Sequence, residues 1–176
     1  MKNQLIIAAA IIAATASTVT AAENIAELAI VPVNYSEPGL SATPKMLRGT
    51  YEFKDNGILS YEFMLGVGIA DGTTKYGSTN VNIGVGSFAG AYIKASNKLN
   101  EQMEVFARLG GASIKRDASA NGRSLSNGDS GGGVSYGVGL KYNINDKNSL
   151  SFDYMSYYTK NSINFNGVGI GISTKF

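Results

Sequence analysis

The sequence predicts an all-β fold, an eight-stranded antiparallel up-and-down transmembrane β-barrel preceded by a cleaved signal peptide. Apolar and polar residues alternate in short runs along the chain, and polar turns separate the runs. Alternation with a period of two is typical of strands, because successive side chains point to opposite faces of a sheet. The final run, Val-Gly-Ile-Gly-Ile-Ser-Thr-Lys-Phe at 168–176, keeps this alternation and stops at an aromatic residue. Beyond the first 22 residues, no stretch is long and apolar enough for a transmembrane helix.

The first 22 residues have the layout of a secretory signal peptide. A short positive start at 1–4 precedes an apolar run at 5–16 and a small-residue region that ends at Ala22. The apolar run has no polar face, so a buried amphipathic helix does not fit it. We therefore predict a signal peptide at 1–22 and one outer-membrane β-barrel domain at 23–176.

The composition limits the chemistry that the chain can perform. Lys and Arg number 15 and Asp and Glu 13, and the chain has no His and no Cys. This balance does not indicate a nucleic-acid partner, and zinc binding is disfavoured without His or Cys. A nucleophilic serine would need an acid–lysine arrangement, and a paired-carboxylate hydrolase is the other catalytic alternative. We predict no enzymatic activity, no metal and no cofactor.

Eight strands and their connections can be read in order. The first strand is the least distinct, because Pro32 cannot donate a ladder hydrogen bond. The predicted strands lie within 25–35, at 47–53, 59–69, 79–93, 103–109 and 134–142, from 150 onward, and at the carboxyl terminus. The connections at 54–57, 94–101 and 143–147 are generally shorter and are predicted to be periplasmic. Those at 36–44, 71–77, 115–132 and 159–162 are predicted to face outside.

Several segments resemble a known family. Tyr-Ile-Lys-Ala-Ser-Asn-Lys-Leu-Asn at 92–100 resembles a strand-to-turn pattern of the small outer-membrane barrels of the OmpX and OmpA transmembrane-domain type. Gly-Val-Gly-Leu-Lys-Tyr-Asn-Ile-Asn-Asp at 137–146 and Ser-Leu-Ser-Phe-Asp-Tyr at 149–154 are similar to the last hairpin of that family. Pro32 and the weak first strand depart from its pattern. The resemblance implies a bacterial outer-membrane location and a non-enzymatic surface role.

Alternation assigns each strand residue to the lipid or to the barrel interior. The residues predicted to face lipid are Tyr51, Phe53, Leu59, Tyr61, Phe63, Leu65, Val67, Val81, Ile83, Val85, Val105, Leu109, Tyr136, Val138, Leu140, Leu150, Phe152 and Tyr154. Those predicted to face inward are Arg48, Glu52, Ser60, Glu62, Asn80, Asn82, Glu104, Arg108, Ser135, Lys141, Ser151 and Asp153. Buried charges are costly unless paired. We therefore expect an interior charge network of Arg48, Glu52, Glu62, Glu104, Arg108, Lys141 and Asp153.

An eight-stranded barrel leaves room for side chains rather than for a wide channel. We therefore predict a plugged polar interior, with surface loops that serve structural, adhesion or envelope-interaction roles. A narrow diffusion channel is the alternative, and a soluble exported β-sandwich would also show alternating strands. The expected partners are outer-membrane lipid and lipopolysaccharide, the barrel-assembly machinery, and host or envelope surface molecules. The expected assembly signal consists of Val168, Ile170, Ile172 and Phe176.

Overall fold

The computed structural model describes residues 23–54, 57–120, 123–160 and 162–176, and these residues form an all-β fold. The predicted signal peptide lies outside the described residues and stays a prediction. So do parts of three predicted connections, at 55–56, 121–122 and 161. No helix among the described residues is long and apolar enough to cross a membrane.

Eight strands pair antiparallel with their neighbours and form a closed ring. Its order is β10-β9-β8-β7-β6-β4-β3-β1, and β10 pairs with β1 to close the ring. Two short strands, β2 and β5, pair with β1 and β6 beside the ring. The strands are β1 Glu23–Glu37, β2 Leu40–Ala42, β3 Lys45–Lys54, β4 Leu59–Ala70, β5 Gly72–Tyr76, β6 Thr79–Lys98, β7 Met103–Ala120, β8 Arg123–Asn143, β9 Asn148–Lys160 and β10 Ile163–Lys175. The predicted barrel class is confirmed.

Both ends of the described chain lie at the same end of the barrel, as an even number of wall strands requires. The Phe176 N–H donates a 3.0 Å hydrogen bond to the Asn24 carbonyl oxygen. We call this the terminal end, and it also carries the turns at 99–102 and 144–147. The opposite end, which we call the hairpin end, carries β2, β5 and the far ends of β6 to β10.

Three segments predicted as outer loops are largely strand. In the segment 36–44, residues 36–37 belong to β1 and residues 40–42 form β2. Residues 72–76 form β5, which folds back on β6 with Gly77 at a positive φ of 61° in the turn. The segment predicted as the longest loop, 115–132, continues β7 to Ala120 and begins β8 at Arg123. These strands are rich in Ser, Asn and Gly and lack apolar alternation, because water contacts both faces of a hairpin that extends beyond the membrane. Alternation of apolar residues therefore did not predict them.

The lipid and interior faces follow the predicted alternation except in β6. Tyr61 and Phe152, for example, expose 63% and 54% of their surface to the barrel exterior. Val81, Ile83 and Val85 were predicted to face lipid but are buried, and Asn80 and Asn82 were predicted to face inward but are exposed. The cause is a bulge in the β6–β7 register between Val85 and Ser87. One extra residue moves every side chain beyond it to the other face.

Candidate functional site

The interior near the terminal end is filled by ion pairs. The Asp153 Oδ2 lies 2.8 Å from Arg48 Nη2 and 2.9 Å from Arg108 Nη1, so that one carboxylate oxygen joins two guanidinium groups. The ion pairs run in the order Glu27–Arg48–Asp153–Arg108–Glu62–Lys94–Glu52–Lys141, and a further pair joins Lys54 to Glu104. Acids and bases are equal in number in this set. Removing charges from water costs several kcal/mol each, so pairing is a condition for a stable barrel.

Seven of these charged side chains were predicted from the sequence to face inward, and three were not. Glu27 lies in the indistinct first strand, and Lys94 was assigned to the beginning of a turn. Lys54, which is partly exposed at the terminal end of the barrel, was also assigned to a turn. Lys94 could have been found by extending the alternation of β6 beyond Tyr92, because both side chains are buried at a spacing of two.

Two aromatic residues brace the network. The Phe106 ring contacts two cations, with its centroid 5.0 Å from Lys94 Nζ and 4.6 Å from the guanidinium carbon of Arg108. The Arg48 Nη1 donates a 2.9 Å hydrogen bond to the Tyr157 hydroxyl oxygen. Cation–π contacts of this kind are strongest where water is excluded. The charged layer is therefore held by neighbours as well as by its own ion pairs.

The interior towards the hairpin end is apolar, whereas a polar interior was predicted from the sequence. Its fully buried members include Met46, Met64 and Met155, each exposed by 1% or less. The cluster also includes Val31, Val33, Tyr35, Val81, Ile83, Val85, Phe88, Ile114, Tyr157 and Phe165. Tyr157 links the two layers, since its ring packs on Phe88 while its hydroxyl meets Arg48. The interior is plugged by both layers.

Inward glycines make the room that these large side chains occupy. A Cβ added at Gly169 would lie 2.3 Å from Asp153 Oδ1 and 3.2 Å from Arg48 Nη2. At Gly139 it would lie 2.4 Å from the Phe106 ring. All three distances are shorter than a normal contact between such atoms, so these glycines of β10 and β8 leave room for side chains of the adjacent strands β9 and β7 and for Arg48 of β3.

The predicted assembly-signal residues lie on the outside of the barrel. Val168, Ile170 and Ile172 expose 42%, 59% and 54% of their surface on β10, and Phe176 exposes 51%. The Phe176 ring lies 6.2 Å from the ring of Tyr51, measured between centroids. These side chains form an apolar strip, interrupted by the exposed Thr174, that contributes nothing to the interior plug.

Three neighbouring strands are much longer than a membrane requires. Strands β6, β7 and β8 have 20, 18 and 21 residues, whereas about 9–11 residues cross a bilayer. Their far ends, with β5, form a sheet that extends from the hairpin end, which we call the extended sheet. The Arg116 guanidinium at its base binds Tyr35 and Glu37 of β1, and so ties the sheet to the barrel wall. Across the part of the chain that the structure describes, no group of three or more acidic residues is arranged to hold a metal ion.

Comparisons with known proteins agree on one architecture. The family model for the outer membrane protein beta-barrel domain matches residues 6–176. The crystal structure of Ail, the attachment invasion locus protein of Yersinia pestis, has a TM-score of 0.64 at 15% identity and covers 88% of this chain and 99% of its own. A second Ail structure, with a TM-score of 0.63, is in complex with the heparin analogue sucrose octasulfate, at the same identity and coverage.

Neisserial surface protein A (NspA) is similar at a TM-score of 0.61 and 16% identity, and covers 87% of this chain and 97% of its own. No curated protein matches by sequence. Structural likeness at this level of identity shows the fold, while the family model spans almost the whole chain. The protein is a bacterial outer-membrane protein, and the chain belongs to the outer membrane protein beta-barrel domain family.

Proposed function

We propose that this protein is a non-catalytic, non-conducting surface protein whose barrel holds the extended sheet outside the cell for contact with host or envelope molecules. The plugged interior carries this proposal. Arg48, Met46 and Tyr157 are each completely buried inside the barrel, so the volume that a channel would need is occupied by protein. Binding is then left to the hairpin end, which we propose faces outward with both termini in the periplasm.

The charge of the hairpin end supports a polyanionic partner. Among the side chains whose burial the structure describes, the exposed charged ones at this end are the bases Lys45, Lys75, Lys115, Arg123 and Lys160 and the acids Asp71 and Asp117. Phosphates of lipopolysaccharide and sulfates of host polysaccharides share the chemistry that such bases recognise. Ail, which has the same fold, is recorded with a sulfated heparin analogue. Attraction of this kind weakens as salt screens the charges.

Planar-bilayer recording tests the non-conducting part of the proposal. We expect the refolded chain to give no steady single-channel steps. A variant with Met46→Ala, Arg48→Ala and Tyr157→Ala is the positive control, because it removes completely buried side chains from both layers of the plug. Steady steps from the unaltered barrel would overturn the proposal in favour of a narrow diffusion channel.

Retention on a heparin column tests the contact part. We expect the folded protein to be retained at low salt, and a Lys45→Glu, Lys115→Glu variant to elute earlier, since both lysines are exposed on the wall near the hairpin end. The matched control is Lys98→Glu and Lys147→Glu, which changes two exposed lysines at the terminal end. Equal elution of both variants would contradict recognition by the hairpin end.

We also propose that the strip Val168, Ile170, Ile172 and Phe176 is read by the barrel-assembly machinery. Its exposure on the outside of the last strand supports this, because a partner can reach it without opening the barrel.

A further inference from the structure

A cavity opens at the terminal end of the barrel. Its volume is about 370 Å³, and small-molecule sites commonly measure about 300–1,000 Å³. Residues from the start of β1, the ends of β3 and β6 and the start of β7 line it, together with the residues that precede β4. The lining includes Glu23, Lys54, Ile58, Ser96, Lys98 and Glu104. We call this cavity the terminal pocket.

Strand β6 supplies the wall that leads from the terminal pocket into the barrel. Lys94, Ser96 and Lys98 share one face of the strand, because side chains two residues apart point to the same side. Lys94 and Ser96 are 1% and 7% exposed, whereas Lys98 is exposed where the strand ends. The Lys94 Nζ lies 2.6 Å from the Glu52 Oε2, within the charged layer. The terminal pocket is therefore closed towards the interior by the charged layer and is open past Lys98.

The acids of the terminal pocket are neutralised, and one base is left over. The Glu104 Oε2 lies 3.1 Å from the Lys54 Nζ, and the Glu23 carboxylate pairs with the Lys175 ammonium. Lys98 is directly opposite Glu104 in the β6–β7 register, but the Glu104 carboxylate is paired with Lys54. Across the described ranges, Lys98 makes no ion pair. The excess positive charge favours an anionic ligand.

Ser96 and Ile58 add a hydroxyl group and an apolar surface beside this charge. The Ser96 N–H donates a 2.8 Å hydrogen bond to the Ile58 carbonyl oxygen, which holds the two residues together. Among the residues that the structure describes, the Ser96 hydroxyl has no hydrogen-bond partner, although buried polar groups usually have one. Ile58 is 66% exposed. The lining thus combines an ammonium group, an unpaired hydroxyl group and an apolar side chain.

We propose that the terminal pocket binds a small organic anion, a carboxylate or a phosphate carried on a short apolar body. The oxygens of the anion accept hydrogen bonds from the Lys98 ammonium and the Ser96 hydroxyl, and such charge-assisted bonds are stronger than neutral ones. The apolar body packs on Ile58. The Lys54 side chain, which is 19% exposed, adds a second positive charge and offsets the repulsion from Glu104.

The size and position of the terminal pocket separate this ligand from other anions at the membrane. A polysaccharide chain does not fit a cavity of this volume, so the pocket is distinct from the contact surface proposed at the hairpin end. Headgroups of anionic lipids share the chemistry of the ligand, but Ser96 and Glu104 are buried inside the barrel, whereas lipid contacts its exterior. We therefore expect a soluble anion. This inference goes beyond the proposed surface role and does not depend on it.

Titration of phenyl phosphate into the ¹⁵N-labelled protein tests the proposal, with the barrel in phosphatidylcholine nanodiscs at low salt. We expect saturable shifts of the Ile58, Ser96 and Lys98 amide resonances. Added salt should weaken the binding, because ions screen the attraction between the phosphate and Lys98. Benzyl alcohol, which carries the ring without the charge, should cause no saturable shift.

Lys98→Gln should raise the dissociation constant for phenyl phosphate by about tenfold, because it replaces a charge-assisted hydrogen bond with a neutral one. Lys147→Gln is the matched control, since it removes an exposed lysine at the same end of the barrel but outside the terminal pocket. Ser96→Ala should weaken the binding by a smaller factor. Heat-modifiable gel mobility shows that each variant is folded.

Equal dissociation constants for the Lys98→Gln and Lys147→Gln variants would overturn the proposal, as would the absence of shifts at the three amides. Shifts at Ser96 and Lys98 that appear without the probe, when phosphatidylglycerol is added to the nanodiscs, would also overturn it, in favour of a lipid headgroup.

Discussion

At the scale of single residues, Asp153 is the carboxylate that joins two buried arginines. Its Oδ2 contacts both Arg48 and Arg108, and the side chain is 1% exposed. Replacing it with Asn leaves two buried cations without their shared counter-charge. Breaking a buried pair in this way costs about 3–5 kcal/mol.

We therefore expect Asp153→Asn to lower the free energy of unfolding by about that amount. The measurement is urea unfolding in lipid vesicles, followed by heat-modifiable gel mobility. Asp146→Asn, in an exposed turn, is the control and should stay within about 0.5 kcal/mol of the unaltered protein. A similar small effect at both positions would show that the network does not stabilise the barrel.

Glycine gives a second comparison at this scale. Gly169→Ala places a Cβ against Asp153, whereas Gly49→Ala on β3 meets no atom within 4 Å. We expect the first to destabilise the barrel by about 1–3 kcal/mol through overpacking. The second should be neutral or slightly stabilising, because alanine restricts the unfolded chain. Equal unfolding midpoints for the two variants would contradict the close packing of β10 against the network.

At the scale of elements, the β6 bulge determines which side chains reach lipid. Ile83 is 1% exposed and packs in the apolar layer, while its neighbour Asn82 is exposed. We expect Ile83→Ala to cost about 2–5 kcal/mol, the range for a buried aliphatic side chain. Asn82→Ala should change stability by less than about 0.5 kcal/mol. The same vesicle unfolding experiment measures both variants. A larger loss of stability from Asn82→Ala than from Ile83→Ala would support a β6 register without the bulge.

The β6 bulge is a feature of the fold that the sequence pattern does not predict. Alternation predicted the other wall strands because one face of each must be apolar in lipid. Seven of the buried charges follow from the same rule, since a charge on an apolar face would be exposed to lipid. The bulge has no such signature, because Val81, Ile83 and Val85 are apolar whichever face they occupy.

The burial of Ser156 beside Tyr157 in β9 was equally hidden from the sequence. Alternation continued from Ser151 and Asp153 places Tyr157 inside, but it also places Ser156 outside, whereas the structure buries Ser156. The Arg48 Nη1 donates a hydrogen bond to the Tyr157 hydroxyl oxygen, and Arg48 lies 109 positions away in the chain. A contact between such distant strands depends on the closed ring.

At the scale of the whole molecule, the residues that stabilise the barrel and those of the proposed assembly signal lie on different surfaces. The interior plug holds the eight strands together, whereas the exposed strip of β10 and Phe176 contributes no buried contact to it. Phe176 joins the ring mainly through its backbone, whose N–H bonds to Asn24. A side-chain change at Phe176 should therefore alter recognition during assembly without weakening the finished barrel.

We expect Phe176→Asp to reduce the amount of folded protein in the outer membrane of cells, while export continues and the protein refolded in vitro keeps nearly the same unfolding midpoint. The measurement compares heat-modifiable protein in membrane fractions with unfolding of the refolded chain. Ile144→Asp is the matched control, because Ile144 is 52% exposed in a turn at the same end of the barrel. Normal amounts of folded Phe176→Asp protein would exclude Phe176 from the assembly signal, and a lowered midpoint would assign it to stability instead.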